Sequence, residues 1–424
     1  MSGADLIIRN IGQLATPGGT PGPRRGPAMS ELRVIEGAAV AAEGGTIVAL
    51  GGDRDVAAGA PDAAVIDAGG RLVTPGLVDP HTHAVFASTR EAEFSARVAG
   101  STYEEIAESG GGIRSSVRAV RTASEDALVE AGRRTLDRML EHGTTTAEVK
   151  SGYGLSLESE VKMLRAIATL DATHAINIVP TFMGAHEFPD EWRDDRDGYV
   201  RLVAEEMIPA VSSAGLARFC DVFCERGVFT VEQSRTVLEA GRANGLEPKL
   251  HADELHASGG AELAAELGAA SADHLVRVSD EGIRRLAAAG VPAVLLPGTT
   301  LSLGTTVFAP ARKLVEEGAV VALATDCNPG SSMTESMQIV MALASMMMRL
   351  TPEEVLTAST ANAAAAIGEA GRAGELAVGL PCDLVIWEVD DYRAIPYHYG
   401  VNLASVVVKA GRVVAGGRSA AGSS

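Results

Sequence analysis

Both ends of the chain carry the period-two pattern of strands, while the long middle follows another rhythm. Residues 4–13 alternate apolar and polar side chains, and strand-like pieces return at 33–42, 46–50 and 64–67. Between them a stretch dense in Pro and Gly, TPGGTPGPRRGPAM at 16–29, must be loop. The C-terminal strings GELAVGLPCDLVIWEVD and ASVVVKAGRVVAGG read as further strands separated by Gly/Pro turns.

From 72 to about 371, short apolar or β-branched runs alternate with Ala-rich amphipathic stretches of helical period. The runs lie at 77–83, 144–150, 176–182, 217–223, 248–252, 271–275, 291–297 and 319–326. Helical stretches fall between them, among them 124–142, 157–170, 231–244, 260–267, 280–289 and 336–349. Alternation of this kind predicts an α/β fold with a parallel sheet, and eight is the closing number for a (β/α)8 TIM-like barrel. The expected organisation is a barrel over 71–371, with 1–70 and 372–424 pairing into a small composite β-sandwich domain.

Composition narrows the function. With 46% hydrophobic residues the chain is globular, and with 4% aromatics its core must be aliphatic. A formal charge of −19 repels phosphate backbones and anionic lipid, so no nucleic-acid or membrane partner is expected. The longest uncharged apolar stretch, 336–348, is short of the roughly 20 residues of a membrane span. Cys220, Cys224, Cys327 and Cys382 form no C-x-x-C pair, and a reducing, cytoplasmic setting is expected.

Chemistry-bearing residues recur at the C-terminal ends of the candidate strands, where barrels place their sites. The first run ends in His81-Thr82-His83, whose two imidazoles lie at i and i+2 and so face one way. The fifth ends in His251, the sixth in His274 and the eighth in Asp326. Three His and one carboxylate make a full ligand set for zinc or iron with room for water.

The longer strings PGLVDPHTHAVFASTREAEF, TTTAEVKSGYGL, LHADEL, ADHL, LPGT, LATDCNPGSS and HYGVN resemble the imidazolonepropionase family of the amidohydrolase superfamily. The resemblance runs from about residue 70 to 410. It implies one zinc or iron ion per subunit on His81, His83, His251 and Asp326, with His274 as an acid/base or oxyanion-stabilising group. It also implies that Glu254 contacts the substrate and delivers protons, and that Arg90 grips a propionate, which suits a planar guanidinium fork. Tyr153, His186, Asn328, Gly330 and Ser331 would complete the pocket, with Tyr103 a further candidate. The implied reaction is hydrolysis of 4-imidazolone-5-propanoate to N-formimidoyl-L-glutamate, the third step of histidine degradation, by metal-activated water with Asp326 carrying a proton. A cytoplasmic homodimer is what such a family suggests.

Several residues have plainer readings. Lys150 ends the second run and is read as structural or pocket-lining rather than as a bridging ligand. Glu225 ends the fourth and could hold a second metal, though an ion-paired glutamate is the simpler expectation. Gly110-Gly111-Gly112 suggests a loop near the barrel mouth, and Met333, Met337 and Met341 a core stripe. His142 is read as a helix cap, and His174, His256 and His398 as structural or surface residues. Cys220 and Cys224 are read as inert core thiols, with Cys327 packing beneath the site. Two rival functions share these features, a purine or pyrimidine aminohydrolase and a catalytically dead scaffold. Arg90 argues against the first, because a neutral base offers it no carboxylate, and the complete ligand set against the second.

Overall fold

Eight parallel strands hydrogen-bond in chain order: β1 (Leu77–Asp79), β2 (Thr144–Lys150), β3 (Asn177–Ala185), β4 (Phe219–Cys224), β5 (Glu247–Ala252), β6 (Ser271–His274), β7 (Ala293–Leu295) and β8 (Val321–Leu323). This is a computed structural model that describes residues 3–100 and 111–416. The ring closes just beyond β1 and β8, where Asp326 donates its N–H to the His81 carbonyl (3.1 Å) and His83 donates to Cys327 (3.0 Å). A parallel bridge pairs Thr82 with Cys327 between these two bonds.

Some of the helices between strands start where the sequence supplies a cap. Ser124 accepts the Ala127 N–H at the head of Glu125–Glu141, and Thr230 forms a reciprocal box with Gln233 ahead of Val231–Ala243. Each such cap contributes about 1 kcal/mol. The methionine stripe is shorter than expected. Met337 and Met341 are buried, but Met333 is 46% exposed, because the helix Met337–Met348 begins only after its Ser336 cap. Among the described residues no helix is long and apolar enough to cross a membrane.

The terminal segments meet in one mixed eight-stranded sheet. Leu72–Pro75 pairs antiparallel with Leu384–Trp387, placing Val73 opposite Ile386 and Pro75 opposite Leu384. The chain therefore enters the barrel at Leu77, after a strand that still belongs to the terminal sheet. The sheet curls back on itself, since the turns at Gly45 and Gly411 both bond to the Cys382 backbone. Ile8, Leu14, Val40, Val73, Leu384 and Val408 fill the space inside. Alternation along Leu384–Trp387 decides the docking, with Leu384 and Ile386 in that core and Val385 and Trp387 in the barrel's. Trp387 also donates its indole N–H to Thr74 (2.9 Å).

Candidate active site

The His-Thr-His segment is held from the side by β2. Lys150 donates its backbone N–H to the Thr82 carbonyl (2.9 Å), and the Thr82 hydroxyl donates to the Glu148 carbonyl (2.7 Å). Both neighbouring imidazoles are thereby fixed on the inner side of the barrel, where ligand nitrogens of His81, His83 and His251 lie within 4.8 Å of one another. His83 Nε2 and His251 Nε2 face each other at 3.4 Å. Asp326 Oδ1 stands 3.5 Å from His81 Nε2 and 3.8 Å from His83 Nε2. Thr299, in the LPGT string, donates to the other Asp326 oxygen (2.6 Å) and so leaves Oδ1 turned to the imidazoles.

Two of these imidazoles each lean on a carboxylate. His81 Nδ1 donates to Asp273 (2.6 Å) and His251 Nδ1 to Asp221 (3.1 Å), which fixes the tautomer and turns each Nε2 inward. Among the described residues, His81 Nε2 is then a buried nitrogen without a hydrogen-bond partner, as are His83 Nδ1 and His274 Nε2. Burial pushes the pKa of His81, His83 and His274 well below the ordinary range, so these rings are neutral, the form that binds metals.

Beneath the imidazoles lies a network of fully buried charges. The Lys150 ammonium contacts Asp221 (2.7 Å), Glu148 (2.9 Å) and Asp273 (3.6 Å), and Lys249 contacts Glu148 (3.0 Å). Burial works against the Lys150 charge, but the three carboxylates outweigh it and raise its pKa. Glu148, Asp221, Asp273 and Asp326 against Lys150 and Lys249 give four carboxylates to two ammonium groups. The formal excess over these six groups is negative, the sign that a cation neutralises. Nitrogen donors with one carboxylate suit zinc or iron, so the donor set, the orphaned His81 Nε2 and the charge count all fit a metal ion.

Sequence reasoning passed over Asp221, Asp273, Glu148, Lys249 and Thr299. A signal was present. Glu148 and Lys150, Lys249 and His251, and Ser271 and Asp273 are polar pairs two apart in strands, and all six are buried. At that spacing they share the inner face, and a charge there needs a partner.

The remaining sequence-predicted residues gather around this centre. His186 stacks on His83 (centroids 4.9 Å apart, planes at 14°) and its Nδ1 contacts the Gly152 carbonyl (3.0 Å). Tyr153 is buried, 5.7 Å from the His83 ring. His274 lies 5.1 Å from His251 and 5.5 Å from His81, ring to ring, with Glu254 3.7 Å from its Nδ1. Burial, reinforced by the Asp326 and Glu225 charges, raises the Glu254 carboxyl to about 8, while burial raises Asp326 to about 6. Asn328 folds the turn after Asp326. Its oxygen accepts the N–H groups of Gly330 and Ser331 (2.8 Å each), and its amide donates to the Asp326 carbonyl (2.7 Å). Arg90 is pinned by Glu93 through Nε (2.8 Å) and one terminal nitrogen (2.6 Å). The other terminal nitrogen lies so close to Gly330 that a Cβ there would come within 2.2 Å of it. Tyr103 and Gly110 lie outside the described residues.

Other expectations can be placed as well. Glu225 shows no ligand role, because its two oxygens are taken up by a neighbouring loop. His142 Nδ1 contacts the Arg138 carbonyl at a helix end, His174 pairs with Asp137 and His256 with Glu225. Asn402 of the HYGVN string ties the Gln338 amide to the Glu141 carbonyl, a structural task.

Comparison with known proteins agrees with this geometry. Residues 72–416 match the model of the amidohydrolase family. An imidazolonepropionase of Geobacillus sp. (strain WCH70) is 54% identical over 96% of this chain and 97% of its own length. One from Alkaliphilus metalliredigens (strain QYMF) is 48% identical over 97% and 98%. Among solved structures, E. coli guanine deaminase superposes with a TM-score of 0.74 at 16% identity, covering 97% of this chain and 98% of its own. The 5-methylcytosine deaminase of Klebsiella pneumoniae gives 0.72 at 17% identity, with 97% of each chain covered. These two likenesses speak for the fold alone. On the family match and on relatives about half identical over nearly its whole length, the chain belongs to the amidohydrolase family, in its imidazolonepropionase branch.

Proposed function

We propose that this chain hydrolyses the ring C–N amide bond of 4-imidazolone-5-propanoate, giving N-formimidoyl-L-glutamate. The observation that carries the reading is a juxtaposition: Asp326, beside the histidine cluster, and Gly330, against which the Arg90 guanidinium rests, belong to one tight turn. A hydrolytic centre and a carboxylate-binding fork thus share one wall, as a substrate with a cyclic amide and a short carboxylate tail requires. A neutral purine or pyrimidine would offer Arg90 no carboxylate to bind.

His81, His83, His251 and Asp326 would hold one zinc or iron ion, which supplies Lewis acidity toward the ring carbonyl and the attacking water. Asp326, steadied by Thr299, takes a proton from that water. His274 has a buried, unpartnered Nε2 beside the cluster and donates to the carbonyl oxygen as it gains negative charge. The C–N bond then breaks and the ring nitrogen leaves with a proton from Glu254, whose raised pKa keeps it in the acid form near neutrality. Tyr153 and His186 wall the ring side and exclude water, and Arg90 with the Asn328–Ser331 turn holds the propionate.

The test is ring opening of imidazolone propionate by the purified chain, before and after dialysis against a chelator and after return of zinc or iron. Activity lost and regained supports the reading. Undiminished turnover without metal, or ammonia release from guanine or cytosine with no ring opening, refutes it.

A further inference from the structure

Glu225 directly follows β4 with its side chain fully buried, and it touches none of the histidines at the cluster centre. Instead it accepts five hydrogen bonds, four of them from the segment that follows β5. One oxygen takes the N–H groups of Leu255 (2.8 Å) and His256 (3.2 Å). The other takes the Ser258 hydroxyl (2.8 Å), His256 Nδ1 (3.1 Å) and the N–H of Arg226 (2.7 Å). Asp253 secures the far side of the segment by accepting the N–H groups of Ser258 (2.7 Å), Gly259 (2.9 Å) and Ala261 (2.9 Å). Glu254 sits between these anchors. Among the described residues its one polar neighbour is His274, at 3.7 Å, so no hydrogen bond of its own side chain fixes where it points. Its direction is set by backbone that Glu225 holds.

We propose that Glu225 is the positioning residue for Glu254, reaching across from the neighbouring strand to aim that carboxyl at the reacting ring nitrogen. The proposal deepens the reading of Glu254 as proton donor and rests on it. A carboxylate is needed because both oxygens must accept. In Glu225→Gln the amide NH2 faces either two backbone N–H groups or three donors, and the segment is released on that side. Displacement of a catalytic group by about 1 Å costs on the order of 10²-fold in rate.

The test is a double-mutant cycle on the metal-loaded protein, with Glu225→Gln and Glu254→Gln made singly and together. Glu225→Gln is expected to lower kcat roughly 10- to 100-fold with little change in KM. Added to Glu254→Gln, it is expected to change kcat less than about threefold, because a residue acting through Glu254 has nothing left to aim. Ser258→Ala, which removes one of the five bonds, should show the same non-additivity with a smaller loss. Full additivity in either cycle overturns the proposal, and so does failure of both Glu225→Gln and Ser258→Ala to fold. If Glu254→Gln alone leaves kcat intact, the proton-donor reading itself has failed, a result distinct from additivity.

Discussion

Gly330→Ala is a small change with a consequence that the packing around Arg90 dictates. A Cβ at this position would stand 2.2 Å from a terminal nitrogen of Arg90 and 3.0 Å from its Cζ, while meeting Asn328 Oδ1 at 3.4 Å. The asparagine can stay where it is, but the guanidinium must retreat by more than about 1 Å to reach ordinary contact, on the scale of misplacement that costs about 10²-fold. Glu93 grips Arg90 through Nε and the second terminal nitrogen, so the retreat cannot be a free slide along the pocket wall. A charge-assisted hydrogen bond contributes about 1.5–3 kcal/mol. At roughly 1.4 kcal/mol per factor of ten, KM for imidazolone propionate should rise about 10- to 100-fold. Because the clash falls on a side chain and not on backbone, kcat and the thermal midpoint should stay close to the parent values. Steady-state kinetics on the propionate substrate and on an imidazolone lacking the carboxylate read this directly. The defect should be confined to the propionate compound. A KM within twofold of parent, or an equal defect on both compounds, refutes Arg90 as the carboxylate fork.

Other expectations follow from the same geometry. Asp273→Asn leaves His81 Nδ1 with a poorer acceptor and should weaken metal binding about 10- to 100-fold in chelator competition; parent-like affinity would refute the orienting role. With Glu254 raised to about 8, its acid form is full at lower pH and lost as pH climbs through that value. The alkaline limb of kcat/KM should therefore sit at or below about 8 and vanish in Glu254→Gln; a limb that survives the substitution refutes the assignment. Arg24 and Glu375 form a buried pair (2.7 Å) joining the loop at 16–29 to the C-terminal segment. Arg24→Met should cost about 3–5 kcal/mol in denaturant unfolding by stranding the Glu375 charge, and Arg24→Met with Glu375→Met should regain most of it.

Much of the architecture is written in short-range pattern. Eight apolar runs separated by helical stretches sufficed for the barrel, and each ligand candidate stood at the end of one of them. Pairing of the two chain ends was visible as a shared style, but not the curl that makes one sheet serve as two layers, because pairing across 300 residues is set by tertiary contact and has no local trace. Asp221 and Asp273 were hidden for a related reason. They lie in strands so uniformly buried that alternation is masked, and their partners come from different strands. Asn328 was legible as part of a motif, yet only the structure shows its amide folding the turn rather than facing open space.

Four of the eight non-glycine residues with positive φ among the described residues stand at the chemistry. Asp253, His274, Leu275 and Asp326 all have positive φ (52°, 74°, 59° and 52°), at the ends of the strands that carry the site. For residues with a Cβ each such conformation costs of the order of 1–3 kcal/mol and persists only where the surroundings impose it. For Asp326 the surroundings are the bonds that close the barrel. Asp326 is held by its N–H on the His81 carbonyl and by its own carbonyl on the Asn328 amide, and His83 by its N–H on Cys327. Three of the four ligand candidates are thus fastened to one another through main chain, independently of any ion. Closing the ring and setting the ligand geometry are the same structural event, so substitutions that loosen the join between β1 and β8 should lose metal affinity before they lose the fold.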